Sequence, residues 1–284
     1  MSEKERIAII TDSSCDLPKK YLEENEVYSL PLHIIYKDGE LRDGIDITTE
    51  EVYESFAREI PTTSMPNPGD LHEILAKIRE QGIKKVLFVL ISKGLSGTVN
   101  MVNVVCADQT DLEYEIVDTR ILTWGEGFLV QEAVEMRKRG VRLGEYNNKL
   151  QKVRNNVHGF FCVPTLEYLV KGGRIGLVSG IVGNLLHLKP VIGVNDDGVY
   201  YTAAIARGYK KAVAKMRDII EEKSRGHKFD LFIIHGAAKE ECKKLMEQMA
   251  ALPGLLSIGM GCVSPALSVH VGQGLLGIVL KIKD

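Results

Sequence analysis

The sequence predicts an α/β protein of two domains, and three observations carry that expectation. At 284 residues the chain is long for one hydrophobic core. Short apolar runs recur along it, at Ile7–Ile10, Val86–Ile91, Glu115–Val117, Phe160–Val163, Leu231–Ile234 and Leu275–Ile282. Between them lie helix-period amphipathic stretches, at Glu50–Glu59, Leu71–Gln81, Phe128–Arg139, Lys210–Glu222 and Glu240–Ala251. Strands alternating with helices build layers in which the strands run largely parallel.

Taken in order, the joints bear this out. Pro18 marks a helix start and Asp43-Gly44 a turn. Asn67 reads as an N-cap with Pro68 as the first helical residue, since proline lacks an N–H that would be orphaned there. Ser92 to Thr98 follows a strand and opens a helix reaching Cys106. The helical Arg142–Asn156 gives way to the apolar Val157–Val163, which sets the expected domains at 1–156 and 157–284. The helix Thr165–Val170 stops at Gly172-Gly173, and Arg207 is expected to begin another. Ile278–Ile282 reads as a terminal strand.

Composition narrows the function. With 45% hydrophobic and 26% charged residues the chain can bury substantial cores, and a net charge of -2 argues against a nucleic-acid surface. Cys15, Cys106, Cys162, Cys242 and Cys262 are odd in number and never in C-x-x-C pairs, which speaks against a disulfide framework or zinc site and for a reducing cytoplasm. The N-terminal residues running into Ile7–Ile10 hold no signal-peptide core. The weakly polar stretch 175–188 is too short and interrupted to span a bilayer.

Two loops rich in hydroxyls point to an oxygen ligand. In Ser92-Lys-Gly-Leu-Ser96-Gly97-Thr98, side-chain hydroxyls and free backbone N–H groups converge at a strand end. Lys93 is the only charged residue from Val86 to Ala107, so no local carboxylate or imidazole can activate Ser96. Thr62-Thr63-Ser64, ahead of Asn67, is a second such cluster, whose plain alternative is a capped helix after a polar turn.

Other motifs weigh less. Gly272-Gln-Gly274-Leu-Leu-Gly277 has dinucleotide-fingerprint spacing but leads into the terminal strand, not a helix. Gly94-Leu-Ser96-Gly97 misplaces the second glycine of a nucleophile elbow. His270 alone among the histidines stands in a Gly-rich polar context, whereas His33, His187 and His235 sit in apolar runs and read as packed. Spacing offers no metal constellation. Arg174 after a glycine pair reads as a solvated cap or a docking cation, and Arg207 is poorly placed for a helix dipole.

The ordered string Thr11-Asp-Ser-Ser-Cys-Asp16-Leu-Pro18, Asp43-Gly44-Ile-Asp46, Thr63-Ser64-Met-Pro66, Ser92 to Thr98, Leu166 to Gly176, Leu188-Lys-Pro190 and the His270 segment resembles the DegV family over nearly the whole chain. The resemblance implies an α/β/α N-terminal domain and a second, mixed-sheet α/β domain, with a lipid tunnel at and beyond their interface. It implies one bound long-chain, palmitate-like fatty acid, no cofactor and no activity of the chain's own. In bacteria the carboxylate would be presented to a separate fatty acid kinase for acyl phosphate formation, a step of phospholipid metabolism. Carried over by position, Thr63 and Ser96 would bind the carboxylate, Ser64, Gly97 and His270 would complete the headgroup site, and Arg174 and Arg207 would face the kinase. This chain departs from the family at Cys262-Val-Ser264-Pro265-Ala266 and at Thr119 to Gly127, near the expected headgroup.

Magnitudes divide the labour in such a site. A 16-carbon tail buried at about 0.8 kcal/mol per methylene offers roughly 11 kcal/mol, against about 1.5–3 kcal/mol for each hydrogen bond to a carboxylate. The tail supplies affinity and the hydroxyls supply position. The alternatives are a serine acyl hydrolase using Ser96 and His270, and an α/β module for another small anion.

Overall fold

The computed structural model describes residues 5–181 and 187–283, so residues 1–4 and part of the 175–188 stretch lie outside the described residues. The first half runs β1 (Ile7–Asp12), α1 (Lys19–Glu24), β2 (Val27–Leu30), β3 (His33–Tyr36), β4 (Gly39–Arg42), α2 (Thr49–Ser55), β5 (Thr62–Ser64) and α3 (Pro68–Glu80). It continues through β6 (Lys85–Leu90), α4 (Thr98–Ala107), β7 (Glu113–Asp118), α5 (Trp124–Lys138) and α6 (Tyr146–Asn155). The second half opens with β8 (Val157–Cys162), α7 (Glu167–Lys171), β9 (Leu188–Val194), β10 (Tyr200–Arg207) and α8 (Tyr209–Ser224). It closes with β11 (Lys228–His235), α9 (Lys239–Met249), β12 (Leu255–Cys262), α10 (Pro265–Val271) and β13 (Leu276–Lys283).

Two sheets stack with α5 between them. The first, in order β2-β1-β6-β7, is parallel throughout. Its central strands β1 and β6 are buried almost end to end and read as continuous apolar runs, because helices cover both faces. Helices α3 and α4 pack on one side, over Leu71, Leu75, Val102 and Phe88, and α5 packs on the other. The second sheet, β10-β9-β8-β13-β11-β12, is mixed: only β11 and β12 run parallel. Its outer face is covered by α8 and α9 and its inner face meets α5, where Trp124 stacks on Phe232 at 3.5 Å between ring centroids. A third, small sheet, β4-β3-β5, packs with α2 and α10.

Local chemistry sets the helix starts that matter. Asn67 accepts from Gly69 N at 2.8 Å and Asp70 accepts from Asn67 N at 3.3 Å, a reciprocal cap with Pro68 at the first helical position. Thr48 and Glu51 form the same device on α2.

Three expectations need correction. Parallel strands dominate only the first sheet, because the hairpin β9–β10 and the terminal strand β13 enter the second antiparallel. Arg207 ends β10 and does not begin a helix; Gly208, at φ 88°, makes the turn into α8. His187 is exposed, whereas His33 and His235 are buried. Among the described residues no helix is long and apolar enough to cross a membrane.

Candidate functional site: an apolar cavity with a hydroxyl and cation end

Between the two sheets lies a cavity, part of it open to solvent, of the concave and mainly apolar kind that small ligands occupy. Its walls are mainly apolar: Ile91, Leu95, Ile121 and Leu122 from the first half, Phe160, Phe161, Ile234 and Val279 from the second sheet, Leu267 and Val271 from α10. Gly159 and Gly277 also line it, on the neighbouring strands β8 and β13. Glycine in a central strand interior costs stability, and here it leaves room against the sheet face.

At one end polar side chains gather: Thr63, Ser64, Ser96, Arg174 and His270; Thr123 and Tyr200 also line the cavity. Among the described residues no carboxylate lines the cavity. Thr63 and Ser64 sit on β5, paired with Ile34 and His33 of β3. The buried His33 ring lies 2.7 Å from Asp70 and 2.6 Å from Glu40, which ties this strand to the start of α3.

Ser96 stands in the turn before α4. Its Oγ lies 2.8 Å from Thr98 Oγ1 and accepts from Thr98 N at 3.3 Å, while Ser92 Oγ donates to Gly198 O at 2.8 Å and pins the loop to the β9–β10 hairpin. Gly97 does not line the cavity. A Cβ on it would meet Met65 Sδ at 2.9 Å, so glycine there lets the two hydroxyl loops come together.

His270 projects from α10, with Nε2 2.7 Å from Thr63 Oγ1. Burial, aided by the Arg174 charge, pushes its pKa down to about 3, so the ring is neutral. A neutral ring allows the Thr63 hydroxyl to donate to Nε2 or, with the other tautomer, to accept from Nε2–H and donate to a ligand. Nδ1 has no hydrogen-bond partner and faces Gly172, where any Cβ would strike the imidazole. Neither ring nitrogen hydrogen-bonds Ser96, so the pair a serine hydrolase requires is not made.

Arg174 is half-buried, not solvated. Its Nη1 donates to Gly172 O at 2.7 Å and its Nε to Leu95 O at 3.3 Å, bridging the end of α7 to the Ser96 loop. Arg207 is exposed and does not line the cavity. Among the described residues no group of three or more His, Cys, Asp or Glu is arranged to hold a metal ion.

The acidic motif after β1 holds these parts in place. Asp12 accepts from Ser14 N at 3.1 Å and from Ile91 N at 2.8 Å, which fixes the strand end leading into the Ser96 loop. Asp16 accepts from Ser264 N at 3.0 Å and Asp43 from Ala266 N at 2.9 Å, which fixes the start of α10 and hence His270. Glu126 of α5 completes the cluster, accepting from Thr11 Oγ1 at 2.9 Å and lying 2.7 Å from Ser14 Oγ. Burial pushes Asp12 and Asp43 up to about 6 and raises Asp16 and Glu126 as well, with the neighbouring carboxylates adding to it and no cation among the described residues offsetting it. Glu126 and Gly159 carried no signal of a part in this site, Gly172 was read only as a helix stop, and Gly277 only as part of a glycine spacing. They matter through contacts made across the fold.

Comparison with known proteins agrees with this architecture. A family model described as "Uncharacterised protein, DegV family" matches residues 6–283. A DegV domain-containing protein of Clostridium acetobutylicum is 40% identical over 276 residues, covering 97% of this chain and 99% of its own. A solved DegV family protein from Thermus thermophilus, whose description reports fatty acid binding, superposes with a TM-score of 0.90 at 29% identity, covering 98% of this chain and all of that one. A stearic acid-binding protein from Eubacterium ventriosum superposes with a TM-score of 0.87 at 26% identity, over 98% of this chain and 99% of that one. The chain belongs to the DegV family.

Proposed function

We propose that this protein binds a long-chain fatty acid in the inter-sheet cavity and presents its carboxylate to a separate fatty acid kinase. One observation carries the reading: an apolar cavity that ends in hydroxyls and a half-buried arginine and is lined, among the described residues, by no carboxylate. Such a cavity accepts an apolar chain with a single anionic end and repels little from it. Solved relatives described as fatty acid or stearic acid binding support the ligand class. In this reading Thr63 and Ser96 hold the carboxylate, and His270 orients the Thr63 hydroxyl. Ser64, which lines the same end, and Gly97 complete the headgroup site, with residues 1–156 and 157–284 as the two domains that enclose it.

The kinase partner rests on the exposed Arg207 and on Arg174, neither of which pairs with a carboxylate among the described residues. The chain itself is read as carrying no catalytic group, since Ser96 has no base. The test is organic extraction of the purified protein followed by mass spectrometry, then acyl phosphate formation with an added kinase. A stoichiometric long-chain acid is expected. No extracted acid and no binding of added palmitate would overturn the reading.

A further inference from the structure

A second cleft lies on the outer side of the Thr63–His270 pair. It shares Thr63, Arg174 and His270 with the apolar cavity, so these three residues form the wall between the two. Lys37, Arg58, Lys171 and Arg174 line it, against one carboxylate, Glu59. They come from four separate segments: the β3–β4 turn, the segment after α2, helix α7 and the loop beyond it.

Counterions account for little of this charge. Lys171 is paired with Glu167 at 2.6 Å, and Glu59 Oε1 accepts from the backbone N of Lys37 at 3.0 Å. Among the described residues the side chains of Lys37, Arg58 and Arg174 have no carboxylate partner. The clustering runs against a chain whose formal net charge is -2. The cleft wall is firm, since Phe56 and Tyr168 stack within it at 5.0 Å between ring centroids.

A fatty acid carboxylate brings one negative charge, and Arg174 with the hydroxyls already answers it inside the cavity. The excess beyond the wall suits a group with more charge and more acceptor oxygens. A phosphate carries about -1.5 to -2 near neutral pH and three strong acceptors, and arginine and lysine are the side chains that bind it. We propose that this cleft is a phosphate subsite, in which Lys37 and Arg58 hold a phosphoryl group lying next to the bound carboxylate. The proposal rests on the fatty acid reading for the identity of its neighbour. The phosphate chemistry is common to an acyl phosphate and to free inorganic phosphate.

The test uses the full chain and a Lys37→Gln, Arg58→Gln double variant; both side chains are exposed and neither lines the apolar cavity. Three probes are titrated into each: palmitate, the β-ketophosphonate analogue of palmitoyl phosphate, and inorganic phosphate. The analogue is expected to bind the double variant about tenfold more weakly, a difference of about 1.4 kcal/mol, while palmitate affinity stays within about twofold. Added salt is expected to erode the wild-type preference for the analogue, because exposed charges are screened. If inorganic phosphate competes away that preference, the cleft also takes the free ion; if it does not, the cleft takes only phosphate joined to the acyl chain. An analogue that loses no more affinity than palmitate, with no phosphate binding to wild type, overturns the proposal. If palmitate and analogue both fail to bind wild type, the fatty acid reading falls, and phosphate binding that the double variant abolishes still upholds the subsite.

Discussion

The polar end of the cavity and the acidic cluster after β1 stand side by side on neighbouring strand ends, and they sort charge in opposite ways. The cavity end has hydroxyls, an imidazole held neutral and a cation, with no carboxylate among the described residues. The cluster has Asp12, Asp16, Asp43 and Glu126, raised pKa values and, among the described residues, no cation that lowers them. A buried carboxylate without a cation persists by hydrogen bonding and by taking up a proton. The cluster can therefore serve as scaffold, gripping Ile91 and the start of α10, without placing a fixed negative charge where an anionic ligand would lie. Acidity in the sequence is thus no guide to the electrostatics of the site.

The strongest way to break that contrast is to move a carboxylate across it. Ser96→Asp places a negative charge in the hydroxyl loop, where two unit charges about 4 Å apart repel by about 4 kcal/mol at an effective dielectric constant of 20. Fatty acid affinity is expected to fall by more than about 100-fold with the fold intact, read by ligand titration and thermal melting. Affinity near wild type would show that the ligand anion lies elsewhere.

The reverse change, Glu126→Gln, acts on stability. Groups whose folded pKa is raised contribute most when protonated in both states, and that contribution is lost as pH rises through the folded value. For Asp12 and Asp43 the loss runs from the ordinary carboxylate range up through about 6, and for Glu126 it continues above its ordinary value. His270 works in the opposite sense, its contribution present above the ordinary histidine value and lost as pH falls toward about 3. Wild-type melting temperature is expected to fall from pH 5 to pH 8, and Glu126→Gln to flatten that decline while leaving fatty acid binding unchanged. An identical slope in the variant would mean that Glu126 is ionised and compensated.

Smaller effects sharpen the comparison. Ser96→Ala and Thr63→Val each remove one hydrogen bond to the ligand, an expected affinity loss of about 1.5–3 kcal/mol at most, with a larger deficit in acyl phosphate formation because the carboxylate is misplaced. Equal phosphorylation by wild type and both variants at saturating kinase would count against the assigned roles. Arg207→Glu is expected to leave bound fatty acid untouched and to weaken only the kinase complex, with added salt weakening the wild-type complex too. Fatty acid loss in that variant would place Arg207 in the binding site.

Strands with buried apolar runs were legible in the sequence: Ile7–Ile10, Val86–Ile91 and Leu231–Ile234 each lie within or overlap an observed strand. The helices α2, α3, α5, α8 and α9 were legible too, since an amphipathic stripe has its own period, whereas α10, buried on all sides, was not read as a helix. The strands β2, β3, β4, β5, β9, β10 and β12 went unread, although Lys37-Asp38-Gly39 and Asn195-Asp-Asp-Gly198 are turn signals of the kind that close hairpins. Their partly exposed, irregular faces carry no clean alternation. At the site, Thr63, Ser64 and Ser96 were marked by an excess of hydroxyls without acids, and His270 by its polar setting. The pairing of His270 with Thr63 was not marked, because 207 residues separate them and only the packing of α10 on β5 brings them together.

The sequence by itself determined the alternation of strands and helices, the capped starts of α2 and α3, and two acid-free hydroxyl clusters, one in the loop after β6 and one on β5 ahead of α3. Those are local properties, set by side-chain period, by proline and glycine, and by hydroxyls within reach of their own backbone. Only the tertiary structure decided that the two hydroxyl clusters meet across Gly97 and Met65, that Arg174 turns inward to Leu95, and that Asp12 and Asp16 are buried together with Asp43 and Glu126 from two distant segments, with no cation among the described residues to offset them. Burial and long-range contact set those outcomes. Both depend on which surfaces close on one another, and no window of neighbouring residues contains that information.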